Sequence, residues 1–248
     1  FDDNHVAYVW ADALITYLTG IGYADPEREG EFAAHWPNEY HFVGKDIIRF
    51  HCVIWPAMLM AAEIPLPKCV FGHGFLLTKG AKMSKSKGNS VMPEDLTEIY
   101  GVDAYRYYFM TDVDFGADGS ISIERMTQVY NADLANTWGN LCSRTLNMIK
   151  KYYDFKVPEA EVSADNPLKE IAEGLYEKYD KAMEVVDFAT AAKVALSLAE
   201  RANLYIEEKA PWTLAKEGKD AELAEVMYSL AESIRIVALN MYPFMPET

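Results

Sequence analysis

The chain has 248 residues, half of them hydrophobic and a quarter charged, with a formal net charge of −15. That length admits one large domain or two ordinary ones with a sizeable core, and no apolar run approaches the ~18–20 residues that span a bilayer. Cys52, Cys69 and Cys142 show no C-x-x-C spacing, which argues against a disulfide framework or a zinc site and suits a reducing cytoplasm; the acidic start (Asp2, Asp3, Asp12) lacks the basic residues of a signal peptide.

In chain order, residues 5–10 read as a strand and residues 12–18 as a helix that stops near Gly20 and Gly22. Tyr40–Gly44 predicts a second strand. Residues 46–63 have the length and apolar density of a buried helix that Pro56 must break or kink, because proline lacks its N–H and clashes with the preceding turn. Residues 69–77 predict a third strand, and the alternation points to a parallel α/β sheet. Pro93, Glu94 and Asp95 open a helix that Gly101 closes, and Asp103 is expected to cap residues 104–111. Beyond Ser122 the periodicity is helical over residues 123–153, 167–186, 190–209, 211–217 and 221–241, with a linker at 156–166. The fold class expected is α/β over residues 1–115, followed by an all-α bundle over residues 116–248.

The acidity is segregated. Between Glu63 and Glu94 there is no acidic residue, whereas Lys68, Lys79, Lys82, Lys85 and Lys87 all fall there, the last three within the run KMSKSKGN of residues 82–89. A charge run is ordinarily a solvated loop. These residues also have the parts of a phosphate holder: lysines as flexible point charges, serines as donors, and Gly80 and Gly88 as permissive backbone. No G-x-x-x-x-G-K-[ST] is present, so a P-loop is not indicated.

The run resembles the KMSKS motif of class I aminoacyl-tRNA synthetases, in which the loop follows the last strand of a Rossmann-type catalytic domain and closes over ATP. The resemblance implies that Lys82 and Lys85, with Ser84 and Ser86, handle the triphosphate of ATP and its Mg²⁺. Met83 would anchor the loop, and Lys87 would support it locally. The run by itself also suits the isoleucine, valine and leucine enzymes.

Two further stretches, Tyr8-Val-Trp-Ala-Asp-Ala-Leu-Ile-Thr-Tyr17 and Phe42-Val-Gly-Lys-Asp-Ile-Ile48 continuing to His51 and Trp55, resemble methionyl-tRNA synthetases. On that resemblance Trp10, Ala13, Leu14, Tyr17, Ile47 and His51 would surround a methionine side chain; Leu14 stands where some relatives have proline. Sulfur contacts aromatic rings favourably, and Tyr17 and His51 are expected to donate toward the sulfur. Taken alone, Trp10 and Tyr17 read more readily as core aromatics than as pocket residues. Asp46 reads as a helix cap. The resemblance adds a ribose contact by Asp46 beside Gly44, and places His73, Gly74, Phe75 and Leu76 near the adenine, in keeping with ligands at the carboxyl ends of strands.

Asn136, Asn140 and Arg144 recur at i+4 and form a polar line on one helix face, either the solvated side of a bundle helix or, since Asn and Arg offer donors and acceptors that suit base edges, a base-reading line. Pro211 leaves Trp212 in the first turn of a helix, as a packing residue or a stacking platform. Both stretches resemble the anticodon-reading segments of methionyl-tRNA synthetases, which implies base contacts by Asn140 and Arg144 and stacking by Trp212. The implied partners are tRNA(Met), L-methionine and ATP, with no membrane and no metal ligands in this chain. No HIGH motif is present, so the N-terminal half of the catalytic domain, with any zinc, is expected outside these residues. A non-catalytic tRNA-binding module is the competing class, and a branched-chain synthetase the rival within the family.

Overall fold

The computed structural model describes residues 4, 9–78, 81–82, 91–113 and 115–248. The chain condenses into two compact units, residues 1–75 and 76–248. No helix among the described residues is long and apolar enough to cross a membrane.

In the first unit, α1 (Val9–Thr19) and α2 (Glu29–His35) precede β1 (Tyr40–Gly44). Val9 and Trp10 open α1 rather than ending a strand, and residues 5–8 of the expected strand lie outside the described residues. The spacing 10, 14, 17, 18 explains the difference. It places Leu14 and Leu18 on a buried helical face against Trp55 and Leu59, and a helix face outweighs local β propensity. β1 pairs in parallel with β2 (Cys69–His73), in a register that sets Gly44 opposite His73. The third strand therefore stops at His73 instead of running to residue 77.

The connection after β1 departs from a single kinked helix. A 3₁₀ turn (Lys45–Ile47) leads through Ile48 and Arg49 into a π-helical turn (Phe50–Ile54), then α3 (Trp55–Ala61), with Pro56 in the first turn of α3. A proline there follows a widened turn and meets no i−4 carbonyl in tight register. Gly44 occupies the position before the 3₁₀ turn, and no side chain caps it. Asp46 lies inside the turn and is not its cap.

The second unit begins with β3 (Leu76–Thr78), β4 (Ala81–Lys82) and β5 (Gly119–Ile121), in the order β4-β3-β5. β4 is antiparallel to β3, with Leu77 opposite Lys82, and β5 is parallel to β3. β5 was not expected. Three residues carry no alternation to read, and the strand exists through pairing with β3 and through Gly119, where a Cβ would lie 2.2 Å from Val113 Cγ1. α4 (Pro93–Tyr100) ends at Gly101, whose φ of 83° suits glycine. α5 (Val102–Thr111) starts directly from Gly101, so Asp103 is not its cap. Its Oδ2 instead accepts from the Glu247 amide (2.9 Å) and the Thr248 hydroxyl (2.6 Å).

The bundle follows: α6 (Ile123–Val129), a π-helical stretch (Tyr130–Gly139) running into α7 (Asn140–Tyr153), α8 (Pro167–Glu184), α9 (Phe188–Lys209), α10 (Pro211–Glu217) and α11 (Asp220–Met241). α9 is the central helix. Ala191, Ala192, Ala195, Ala199 and Ala202 are buried, and small side chains let α8 and α11 approach it closely. Asn166 keys the linker onto this core. Its Oδ1 accepts from the Leu168 amide, capping α8, while Nδ2 donates to Tyr205 Oη at 3.2 Å and Ser229 Oγ at 3.1 Å.

Candidate functional site

The candidate amino-acid residues come together in the first unit. Trp10 stacks on Phe50 with centroids 4.1 Å apart and planes at 12°, and meets His51 edge-on at 6.4 Å. His51 is buried; its Nδ1 donates to the Ile47 carbonyl at 3.0 Å, and Nε2 lies 2.9 Å from Tyr17 Oη. A carbonyl only accepts, so the neutral ring carries its proton on Nδ1, and Tyr17 donates to Nε2. In this arrangement both expected donors are engaged within the wall, Tyr17 with His51 and His51 with the Ile47 carbonyl. What they offer is a rigid wall of rings. Leu14 is fully buried beneath it, Ile47 is half-buried, and Ala13 lies exposed on α1.

Behind the wall lies His41. Trp55 Nε1 donates to His41 Nε2 at 3.1 Å, and Tyr17 packs on the His41 ring at 4.4 Å. Burial, with the neighbouring His51, lowers the His41 pKa, so the ring stays neutral and accepts. Sequence reasoning missed Phe50, His41 and Trp55 as supports. Phe50 sits beside His51 in the chain, but which ring it stacks on depends on the π turn, and no sequence period encodes that turn.

The candidate nucleotide residues sit at one edge. With Gly44 opposite His73, the turn 44–46 and the segment 73–75 leave the carboxyl ends of neighbouring parallel strands, the place where open α/β sheets take ligands. The Asp46 carboxylate folds back over Gly44, so a Cβ on Gly44 would lie 2.7 Å from Asp46 Oδ1. His73 is exposed and its Nδ1 donates to the Gly74 carbonyl at 2.9 Å. The Lys45 ammonium lies 4.8 Å from the centroid of the Phe75 ring, a cation–π contact. Leu76 opens β3 of the second unit. Lys82 ends β4; Ser84, Lys85 and Ser86 lie outside the described residues.

The candidate base-reading residues lie on the bundle. Asn140 Nδ2 donates to Asn203 Oδ1 at 3.1 Å, and Asn203 Nδ2 donates to the Thr137 carbonyl at 2.9 Å. Arg144 pairs with Glu207 at 2.7 Å. The line Asn140–Arg144 on α7 thus meets a second i,i+4 line, Asn203–Glu207, on α9, while Asn136 stays exposed on the π stretch. Asn203 and Glu207 were not singled out in the sequence, although an asparagine on an otherwise alanine-rich helix was the available signal. Trp212 is 45% exposed in the first turn of α10, more than a core tryptophan would be.

A family model described as tRNA synthetases class I (M) matches residues 2–146, and one described as the anticodon binding domain of methionyl tRNA ligase matches residues 157–248. The methionine–tRNA ligase of Caldanaerobacter subterraneus subsp. tengcongensis is 49% identical over 251 aligned residues, covering 100% of this chain and 39% of that protein. That of Bacillus subtilis is 49% identical over 99% of this chain and 37% of its own length. Mycobacterium tuberculosis methionyl-tRNA synthetase in complex with methionyl-adenylate superposes with a TM-score of 0.91 at 44% identity, covering 98% of this chain and 49% of that one. The chain therefore spans less than half the length of these relatives. On the match over residues 2–146 and the identity along its whole length, it belongs to the methionyl family of class I tRNA synthetases.

Proposed function

We propose that this chain is the part of a methionine–tRNA ligase that carries the KMSKS loop, one side of the methionine and ATP sites, and the anticodon-binding bundle. Residues 1–115 belong to the catalytic domain on this reading, and residues 116–248 read the anticodon. The observation that supports it most is the continuity of the run after β1. Gly44 and Asp46 stand at the carboxyl edge, and Ile47 and His51 follow within the next turns, His51 already bound to Tyr17. A nucleotide on that edge and an amino acid against Trp10 would be neighbours, as transfer between them requires.

In the reaction, a methionine carboxylate oxygen attacks the α-phosphorus of ATP and the bond to pyrophosphate breaks, giving methionyl-adenylate. A terminal ribose hydroxyl of tRNA(Met) then attacks the carbonyl and AMP leaves. Trp10, Ala13, Leu14, Tyr17, Ile47 and His51 hold the side chain. Asp46 takes the ribose, and His73, Gly74, Phe75 and Leu76 flank the adenine. Lys82 and Lys85, with Ser84 and Ser86 and the Mg²⁺ that arrives with ATP, neutralise the leaving phosphates. Asn140 and Arg144 contact anticodon bases, and Trp212 stacks on one. The remaining half of the catalytic domain, with its HIGH motif and any zinc, completes the site. Cys52, Cys69 and Cys142 are free thiols, in keeping with a cytoplasmic enzyme.

The test uses the full-length protein. Lys85→Ala slows methionine-dependent exchange of pyrophosphate into ATP by orders of magnitude, whereas Trp212→Ala leaves exchange intact and raises the KM for tRNA. An unchanged exchange rate in Lys85→Ala overturns the assignment.

A further inference from the structure

α8 and α9 are joined by a short link and pack along one another, and a cavity of about 550 Å³ lies in the groove between them. Gly174 of α8 opens its wall, since a Cβ built there meets no atom within 4 Å. Lys178 from α8, with Lys193 and Arg201 from α9, line the cavity against one carboxylate, Glu170. In a chain of net charge −15 that local excess of cations runs against the average. Neither lysine makes a salt bridge among the described residues, although their neighbours on α8, Lys169 and Lys181, are paired with Glu173 and Glu177. Arg201 Nη2 donates to Glu208 at 2.8 Å, while its Nη1 is buried without an acceptor. Two ammonium groups on one cavity repel, and an anion in the groove between them relieves that repulsion.

The geometry points to a phosphate subsite in the α8–α9 groove, with Lys178 and Lys193 as its arms, that takes a backbone phosphate of bound RNA. The inference rests on the anticodon-binding reading of residues 157–248 and extends it to a surface that reads no base. α9 links the two places. Asn203 and Glu207, which hold Asn140 and Arg144, follow Arg201 on the same helix but face α7 rather than α8. At ~1.5 Å rise per residue Lys193 lies roughly 15 Å along α9 from Asn203, so the phosphate that reaches the groove belongs to a nucleotide several steps away from the bases at Asn140 and Arg144. Phosphate contacts of this kind position RNA and add affinity without sequence preference.

Equilibrium binding of tRNA(Met) to the full-length protein, measured over a series of salt concentrations, tests the subsite. The double variant Lys178→Ala/Lys193→Ala should weaken binding several-fold at low salt, equally for tRNAs with altered anticodons. It should also lower the slope of log K against log salt by about 1–2, with methionine-dependent pyrophosphate exchange unchanged. Gly174→Glu is the second variant. It places a carboxylate in open space and improves helix propensity, so the bundle stays folded while phosphate is repelled, and tRNA binding should fall in the same way. Affinity and slope equal to those of the unaltered protein overturn the subsite. So does a change seen only in titration with inorganic phosphate while tRNA binding stays the same. If the unaltered protein itself binds no tRNA, the anticodon-binding reading falls together with the subsite; if it binds and the variants match it, the subsite alone falls.

Discussion

The hydroxyl of Tyr17 donates to Nε2 of His51 at 2.9 Å across 34 residues of chain, and this bond holds α1 and the π turn in one wall of rings. Tyr17→Phe removes the donor and leaves a buried imidazole nitrogen without a partner, a loss of about 1–3 kcal/mol. The wall loosens where the amino acid would lie. The KM for methionine should rise about tenfold, the equivalent of ~1.4 kcal/mol, with the KM for ATP unchanged in pyrophosphate exchange by the full-length protein. Equal changes in both constants would make Tyr17 a general fold residue.

His41 gives the first unit a pH dependence of definite sign. Its pKa in the fold lies below the usual 6.5, through burial and the neighbouring His51. Above 6.5 neither the folded nor the unfolded ring is protonated, so the contribution is fully present there. As pH falls through 6.5 the unfolded chain takes up a proton that the folded ring refuses, so stability declines until the lower folded value is reached. Urea unfolding followed above and below pH 6.5 should show this loss. His41→Gln keeps an acceptor for Trp55 and should flatten the dependence.

Gly44 separates fold from ligand binding. Its φ of −63° is open to any residue, so alanine there causes no backbone strain. The added Cβ would lie 2.7 Å from Asp46 Oδ1, and a side-chain tip can swing away at small cost to folding. Gly44→Ala should therefore leave the melting temperature within about 2 °C, for a ΔΔG within ~0.5 kcal/mol. It should raise the KM for ATP severalfold and spare methionine, as steady-state kinetics would show.

Asn166 is 3% exposed and serves three elements. Asn166→Ala removes the cap of α8, about 1 kcal/mol, and strips Tyr205 Oη and Ser229 Oγ of a buried partner, about 1–3 kcal/mol more. Thermal unfolding should show a total loss of ~2–4 kcal/mol in the second unit. A loss below 0.5 kcal/mol would mean the linker is not keyed by this side chain.

The sequence by itself determined whatever is fixed within a few residues. Tyr40–Gly44 is a strand as its aromatic and β-branched residues suggest, α4 starts at Pro93 and stops at Gly101, and α10 runs from Pro211 to Glu217. The KMSKS run and the segments around Trp10, Asn140 and Trp212 carried the family resemblance in the same local way. Tertiary structure decided the rest. The π turns at Phe50–Ile54 and Tyr130–Gly139 shift a hydrogen-bond ladder by one residue, which no hydrophobic period records. β5 is three residues that become a strand only against β3. Val9 and Trp10 turned helical because the face carrying Leu14 and Leu18 had a core to fill. The proton position on His51, the Asn203 and Glu207 partners of Asn140 and Arg144, and the cation-lined groove between α8 and α9 all depend on residues far apart in the chain. A hydrogen bond between distant side chains is set by where packing brings them, and local sequence holds no record of that distance.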